Sequence, residues 1–178
     1  MSVIKSKRTL SDLEFYRNAI KLRKEITLLL LRDFGIKSKV RKPETIINKM
    51  DTDDAENFKN IMNKYELTYI LDEYPIWLID KMRNNILNLL HSLVMNITQA
   101  NTIYPTCEEE YYDRRKYQNH AIGNCEQLLQ EMQYIISIIP VNANKYLTYV
   151  DMIDAEIKLL KGWRKSDNKI IKRIKEKS

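Results

Sequence analysis

"PIWLIDKMRNNILNLLHSLVMNITQA", residues 75–100, is the stretch on which the fold turns. Pro75 suits a first helical turn, because its missing N–H would have no partner there and its φ is already helical. Leu78, Met82, Ile86, Leu89, Leu90, Leu93, Ile97 and Ala100 then recur at helical spacing. Such a stripe, more than six turns long, needs other helices to cover it. The stretch within it, "ILNLLHSLVMNI", is too short and too interrupted by Asn and His to span a bilayer.

The flanking sequence supplies the partners. Upstream, Ser11 and Glu14 have capping-box spacing, and Leu13, Tyr16, Ile20, Arg23 and Thr27 with Leu22, Ile26, Leu29 and Leu30 predict a first helix ended by Gly35. Residues 36–73 read as an irregular insert carrying Pro43. Within it, Asp53 and Glu56 open one short helix, "DDAENFKNIMNKY". Downstream, Thr106 with Glu109 opens a third long helix along Tyr117, Ala121, Cys125, Leu128, Met132, Ile135 and Ile139, which Pro140 stops. A fourth runs from Ala143 along Leu147, Val150, Ile153, Ile157 and Leu160 to Gly162. Three Gly and four Pro in 178 residues, with 44% apolar and 30% charged residues, fit an all-helical chain. The expectation is an all-α fold: an antiparallel up-down four-helix bundle in one domain, residues 1–166, with the insert at 36–73 and a basic C-terminal tail at 167–178.

Catalytic chemistry finds no foothold in the sequence. Neither His91 nor His120 follows a Glu by three positions, as a di-iron bundle would require. Glu108, Glu109 and Glu110 sit at a helix start, where acids complement the macrodipole. There is no Gly-rich phosphate loop, nucleophile elbow or His/Cys constellation, so no enzyme, metal or cofactor is expected. Cys107 and Cys125, too few for a disulfide framework, read as small apolar residues of a reducing cytoplasm. No apolar leader follows the first lysines, and the protein is expected to be cytoplasmic.

Charge is placed more tellingly. The net +6 is concentrated at the ends: residues 164–178 hold seven Lys/Arg against Asp167 and Glu176, residues 1–9 add +3, and the balance between them is −2. Such a field attracts anionic polymers. Cations meet rings in "EYYDRRKYQNHAIGN", residues 110–124, where Arg114, Arg115 and Lys116 lie among Tyr111, Tyr112 and Tyr117. Stacking rings beside guanidinium groups suit an unpaired nucleic-acid strand. The alternative is that Tyr117 is core and the arginines pair with Glu110, Asp113 and other local acids. "KSKVRKPE", residues 37–44, adds Lys37, Lys39, Arg41 and Lys42.

The order of "EYPIWLIDKMRNNILNLLHSLVMNITQANT", "YYDRRKYQNHAIGNCEQLLQEMQYIISI" and "YVDMIDAEIKLLKGWRKS" resembles the accessory variability determinant proteins of diversity-generating retroelements, relatives of the four-helix proteins encoded in ribosomal-RNA intervening sequences. The resemblance rests on Tyr74-Pro75, Arg83, the basic pair Arg114-Arg115 and the closing Leu-x-Gly-Trp-x-Lys-Ser from Leu160 to Ser166, and it covers about 11–34 and 73–166. Asn96, Ile97 and Ala100 could stand for the Asn-Ile-x-x-Gly/Ala element of the intervening-sequence relatives, whose paired arginines are replaced near Leu87 and Asn88. The insert and the tail are longer than that family's pattern. The resemblance implies a homopentameric ring with a basic outer surface, binding the element's reverse transcriptase and its template RNA in support of error-prone cDNA synthesis, with no active site.

The residues expected to bind the template RNA, with the choice between RNA and DNA left open by the sequence, are Arg83, Arg114, Arg115 and Lys116, extended electrostatically by Arg164, Lys165, Lys169, Lys172 and Arg173. Ile170, Ile171 and Ile174 among those cations suggest a tail that folds as an amphipathic helix on meeting a partner. A protein-only adaptor docking through these isoleucines is the competing class. Attachment to an anionic membrane is a weaker third, since the tail's apolar area is modest.

Overall fold

The computed structural model describes residues 9–32, 34, 46–67 and 74–176, and among them there are helices and no strands. The first long helix, α1 (Glu14–Leu31), follows a short 3-10 turn (Leu10–Asp12). The capping spacing is used two residues earlier than expected: the Thr9 N–H and hydroxyl both donate to Asp12 Oδ2 at 2.9 Å, leaving Ser11 inside the turn. The buried line of α1 is Phe15, Ala19, Leu22, Ile26, Leu29 and Leu30, whereas Ile20 and Arg23 face solvent. The expected line therefore mixed two faces: its flanking members fill the core and Leu13 and Tyr16 pack against it partly buried, whereas Ile20 and Arg23 do not. Arg32 ends the helix, and Gly35 lies outside the described residues. Phe34, at a φ of 57°, is fully buried, and its carbonyl accepts a 2.9 Å bond from the Tyr146 hydroxyl.

In the insert, α2 (Thr52–Lys64) is the expected short helix, but Asp51 caps it by accepting from the Asp54 N–H at 2.9 Å, two residues before the predicted Asp53. The helix buries no residue.

α3 (Ile76–Thr102) starts directly after Pro75 and buries Ile79, Met82, Ile86, Leu90, Leu93, Asn96, Ile97 and Ala100. Leu78 and Leu89 are partly buried at the margin of this stripe. α4 (Glu108–Ile138) buries the predicted Ala121, Cys125, Leu128, Met132 and Ile135, with Ile139 just beyond its end. Tyr117 is only half-buried, and Tyr111 and Gln118 are buried instead. At its start the cap is shifted by one residue: the Thr106 N–H and hydroxyl donate to Glu110 Oε2, both at 2.7 Å, holding that carboxyl below its ordinary range. Cys107, at the N-cap, is exposed rather than packed as an apolar residue.

α5 (Ala143–Ser166) is capped by Asn142, whose side chain accepts from the Asn144 N–H at 3.1 Å. Tyr146 takes the buried position expected of Leu147, which is 59% exposed. The helix does not stop at Gly162. A glycine inside a helix costs about 0.5–1 kcal/mol relative to alanine, and an added Cβ at Gly162 would meet nothing within 4 Å. Gly162→Ala should therefore raise stability by up to about 1 kcal/mol in chemical denaturation, whereas a destabilised variant would contradict this placement. After a one-residue interruption at Asp167 the chain continues as α6 (Asn168–Lys175).

The packing order follows from the stripes. α3 and α4 share the most extensive interface, joined by the five-residue connection 103–107. α4 also packs on α5, and α1 packs on both α3 and α5, while α6 lies against α4 and α5. A continuous core threads the four long helices.

One carboxyl lies inside that core. Glu156 of α5 is fully buried; Oε2 accepts from Asn18 Nδ2 of α1 at 2.9 Å, and Oε1 has no hydrogen-bond partner among the described residues. Burial, opposed only by the Asn18 bond, pushes its carboxyl up to about 7 from an ordinary 4.5. On α4 the buried Cys125 thiol is pushed up by burial and by the charges of Glu156 and Glu126. Because the folded pKa is raised, the neutral acid's contribution is intact below about 4.5 and is lost as pH rises through about 7. The chain should lose ~3 kcal/mol of stability between pH 5 and pH 8 from this group, and Glu156→Gln should remove most of that loss. Parallel stability-versus-pH curves for the two proteins would refute the assignment.

Candidate nucleic-acid interface

The sequence places its cations and rings at the junction of α4, α5 and α6, and the structure divides them into two groups. Trp163 of α5 stacks on Phe15 of α1, with ring centroids 4.2 Å apart and planes inclined by 12°. On Trp163 sits the Arg114 guanidinium, 5.2 Å from the ring centroid. Arg114 Nε donates to Asp167 Oδ2 at 2.6 Å and Nη1 donates to the Ile103 carbonyl at 2.8 Å. The two side chains are only 12% and 7% exposed. Gln118 Nε2, one helical turn after Arg114, donates to the same carboxylate oxygen at 2.8 Å.

This ion pair crosses 53 positions of sequence, so the arginine does not pair with the local acids of its own helix. Its geometry explains the interruption between α5 and α6. Asp167 is drawn into α4, where two donors satisfy one oxygen, and the chain leaves from there as α6.

Arg115 is also held inward. Its Nη1 donates to the Arg164 carbonyl at 2.7 Å and to Asn168 Oδ1 at 3.1 Å, satisfying a carbonyl of the last turn of α5. Tyr111 is buried and its hydroxyl donates to Asn168 Oδ1 at 3.2 Å, so it offers no free ring face. Arg164 Nη1 donates to Asn119 Oδ1 at 2.8 Å. These groups build a platform rather than a sleeve of loose cations.

The outward group consists of Lys116, Lys165, Lys169, Lys172 and Arg173, all exposed. Asp167 keeps right-handed helical dihedrals, φ −71° and ψ −14°, so the helical phase carries through the interruption. Lys165, Lys169, Lys172 and Arg173 therefore stand at i, i+4, i+7 and i+8 and share one side. Tyr112, 56% exposed, meets the Tyr111 ring edge-on and is the aromatic left open near Lys116. Ile170, Ile171 and Ile174 are half-buried.

Arg83 does not join them. It lies 20 residues before Ile103, the α3 end that Arg114 holds, which corresponds to ~30 Å of helix rise. It sits 3.9 Å from Asp80 and 5.4 Å from the Phe34 ring. The expected grouping of Arg83 with Arg114, Arg115 and Lys116 is thus split along the molecule. Lys5, Lys7, Arg8, Lys37, Lys39, Arg41, Lys42 and Lys177 lie outside the described residues.

Asp167, Gln118, Asn119 and Asn168 complete the platform and were not singled out by the sequence. Only the i, i+4 spacing of Arg114 and Gln118 hinted that the two share a face. Among the described residues, no group of three or more His, Cys, Asp or Glu could hold a metal ion, and no helix is long and apolar enough to cross a membrane. Comparison of the chain with protein-family models, with curated proteins and with solved structures gives no match.

Proposed function

We propose that this chain is a non-catalytic RNA-binding accessory protein, an antiparallel up-down four-helix bundle of α1, α3, α4 and α5 with α2 in its insert and α6 as a basic arm. It works in the cytoplasm, as a homo-oligomer that the family resemblance makes a pentamer, beside the reverse transcriptase and template RNA of a diversity-generating retroelement. The observation that supports this reading is the division of labour among the cations. Arg114 and Arg115 are engaged within the chain, and beside the platform they fix Lys165 at the end of α5 and Lys169, Lys172 and Arg173 on α6 are exposed. A row of exposed cations on a rigid support suits a phosphate backbone, where affinity comes from counterion release. Lys116 and Tyr112 on α4 supply a further cation and a ring for an unpaired base.

The adaptor alternative requires the tail's isoleucines to be offered to a partner. Their half-burial in this chain reduces the apolar surface left for that purpose.

Anisotropy of a labelled structured RNA titrated with the full chain over a salt series tests the reading. Binding that weakens steeply between 50 and 200 mM salt, as the release of condensed counterions requires, is the expected result. Absence of binding at the lowest salt would refute it. Truncation at Gly162 is not a suitable control, because it would delete Trp163 and Asp167 and unmake the platform.

A further inference from the structure

Two contacts tie the start of α1 to α5. Phe15 stacks on Trp163, and one turn later Asn18 Nδ2 donates to Glu156 Oε2 at 2.9 Å. Trp163 also carries the Arg114 guanidinium, whose carboxylate partner Asp167 caps the basic arm. The support of the arm and the buried carboxyl therefore share one helix interface, with Leu160 between them on the buried side of α5.

Among the described residues two carboxyls are buried, and their surroundings differ. Asp167 has a guanidinium and an amide on one oxygen. Glu156 has a single neutral donor on one oxygen and none on the other. From α1 the side chain that reaches it is the uncharged Asn18, while Glu14, Arg17 and Lys21 are exposed. From α4 comes the Cys125 thiol, which burial first and the Glu156 charge second keep protonated; Glu126, the other charge acting on that thiol, is exposed and paired with Lys161 at 3.3 Å. On α5 itself Asp154 and Lys158 are exposed, and the cations of α6, exposed as well, begin only at Lys169. As a neutral acid Glu156 can stay in the core on one hydrogen bond. Once ionised it needs solvation, and water reaches it only where the helices part. The start of α1 is the segment placed to move, since it enters the bundle from a short 3-10 turn and helix ends open at a lower free energy than the whole domain.

We propose that Glu156 is a proton-operated latch: protonated, it holds the start of α1 on α5, and ionised, it lets that segment part and frees the Phe15–Trp163 stack that supports the basic arm. Because burial raises the folded carboxyl to about 7 from 4.5, the closed segment is most favoured below 4.5, and that preference is lost as pH rises to about 7. The latch is a property of the fold and holds whether or not the arm binds RNA.

Native-state hydrogen exchange of the full chain at pH 5 and pH 8 tests it, with each amide's rate divided by its unprotected rate at the same pH. The opening constant of amides in residues 18–22 should rise on the order of 100-fold between the two pH values. Its urea dependence should stay well below that of residues 86–97 at the centre of α3, as for a local opening. Residues 171–175 of α6 should lose protection in parallel, through the shared stack; equal protection at both pH values would overturn the link to the arm. Glu156→Gln, which cannot ionise, should abolish the rise. Asn18→Ala is the second variant: its amide favours the ionised carboxylate, so its removal should move the rise to higher pH. An opening constant in residues 18–22 that is the same at both pH values, a rise that survives Glu156→Gln, or a urea dependence equal to that of residues 86–97 would overturn the latch.

Discussion

Arg114→Ala is expected to lower the unfolding free energy by about 3–5 kcal/mol, the usual cost of leaving a buried charge without its partner. Asp167, 7% exposed, would keep only the Gln118 amide as donor, and the Ile103 carbonyl would lose its bond as well. The Trp163 ring would also lose the guanidinium on its face, leaving Phe15 as its stacking partner. For a chain of this length the melting temperature should fall by roughly 6–20 °C. Arg114→Lys should recover only part of this, because an ammonium cannot reproduce the two directed bonds and the flat stack. Combining Arg114→Ala with Asp167→Asn should cost less than the sum of the single changes, since the unpaired charge is gone. A loss below about 1 kcal/mol, as for an exposed pair, would show that Arg114 is not the internal tie described here.

The second large effect concerns affinity. Replacing Lys165, Lys169, Lys172 and Arg173 together by Gln should weaken RNA binding on the order of 100-fold at 0.15 M salt, if each contributes one phosphate contact. On a single strand the slope of log affinity against log salt should become shallower by about 3. All four side chains are exposed, so the fold should persist and the melting temperature should change little. Unchanged affinity and slope would remove the basic arm from the binding surface.

The contrast between these predictions shows where the sequence was readable. Stripes repeated every three or four residues announce their helix, so Met82, Ile86, Leu90, Leu93 and Ile97 on α3 and Ala121, Cys125, Leu128, Met132 and Ile135 on α4 were legible as core. Caps were legible only to within one or two residues. Thr9, Asp51 and Thr106 each sit near a second residue able to fill the same role, and tertiary packing selects between them. Ile20 and Tyr117 show the cost of wide stripes, where helical spacing is satisfied on two adjacent faces and only one meets the core.

The candidate site was legible in composition and not in geometry. Counting cations found both Arg114 and Lys172. Nothing local distinguishes an arginine that reaches a carboxylate 53 positions away from a lysine that stays in solvent. Glu156 was invisible for the same reason: its burial is set by α1 across 138 positions, through Asn18.

The most direct test of the account is ultraviolet cross-linking of a structured RNA to the full chain, followed by mapping of the attached peptides. Attachment is predicted in residues 111–120, with Tyr112 foremost, and in 161–175, where the outward cations of α5 and α6 share one side. Cross-links confined to α2, or to the exposed Trp77 at the far end of α3, would contradict the assignment of the RNA to this face.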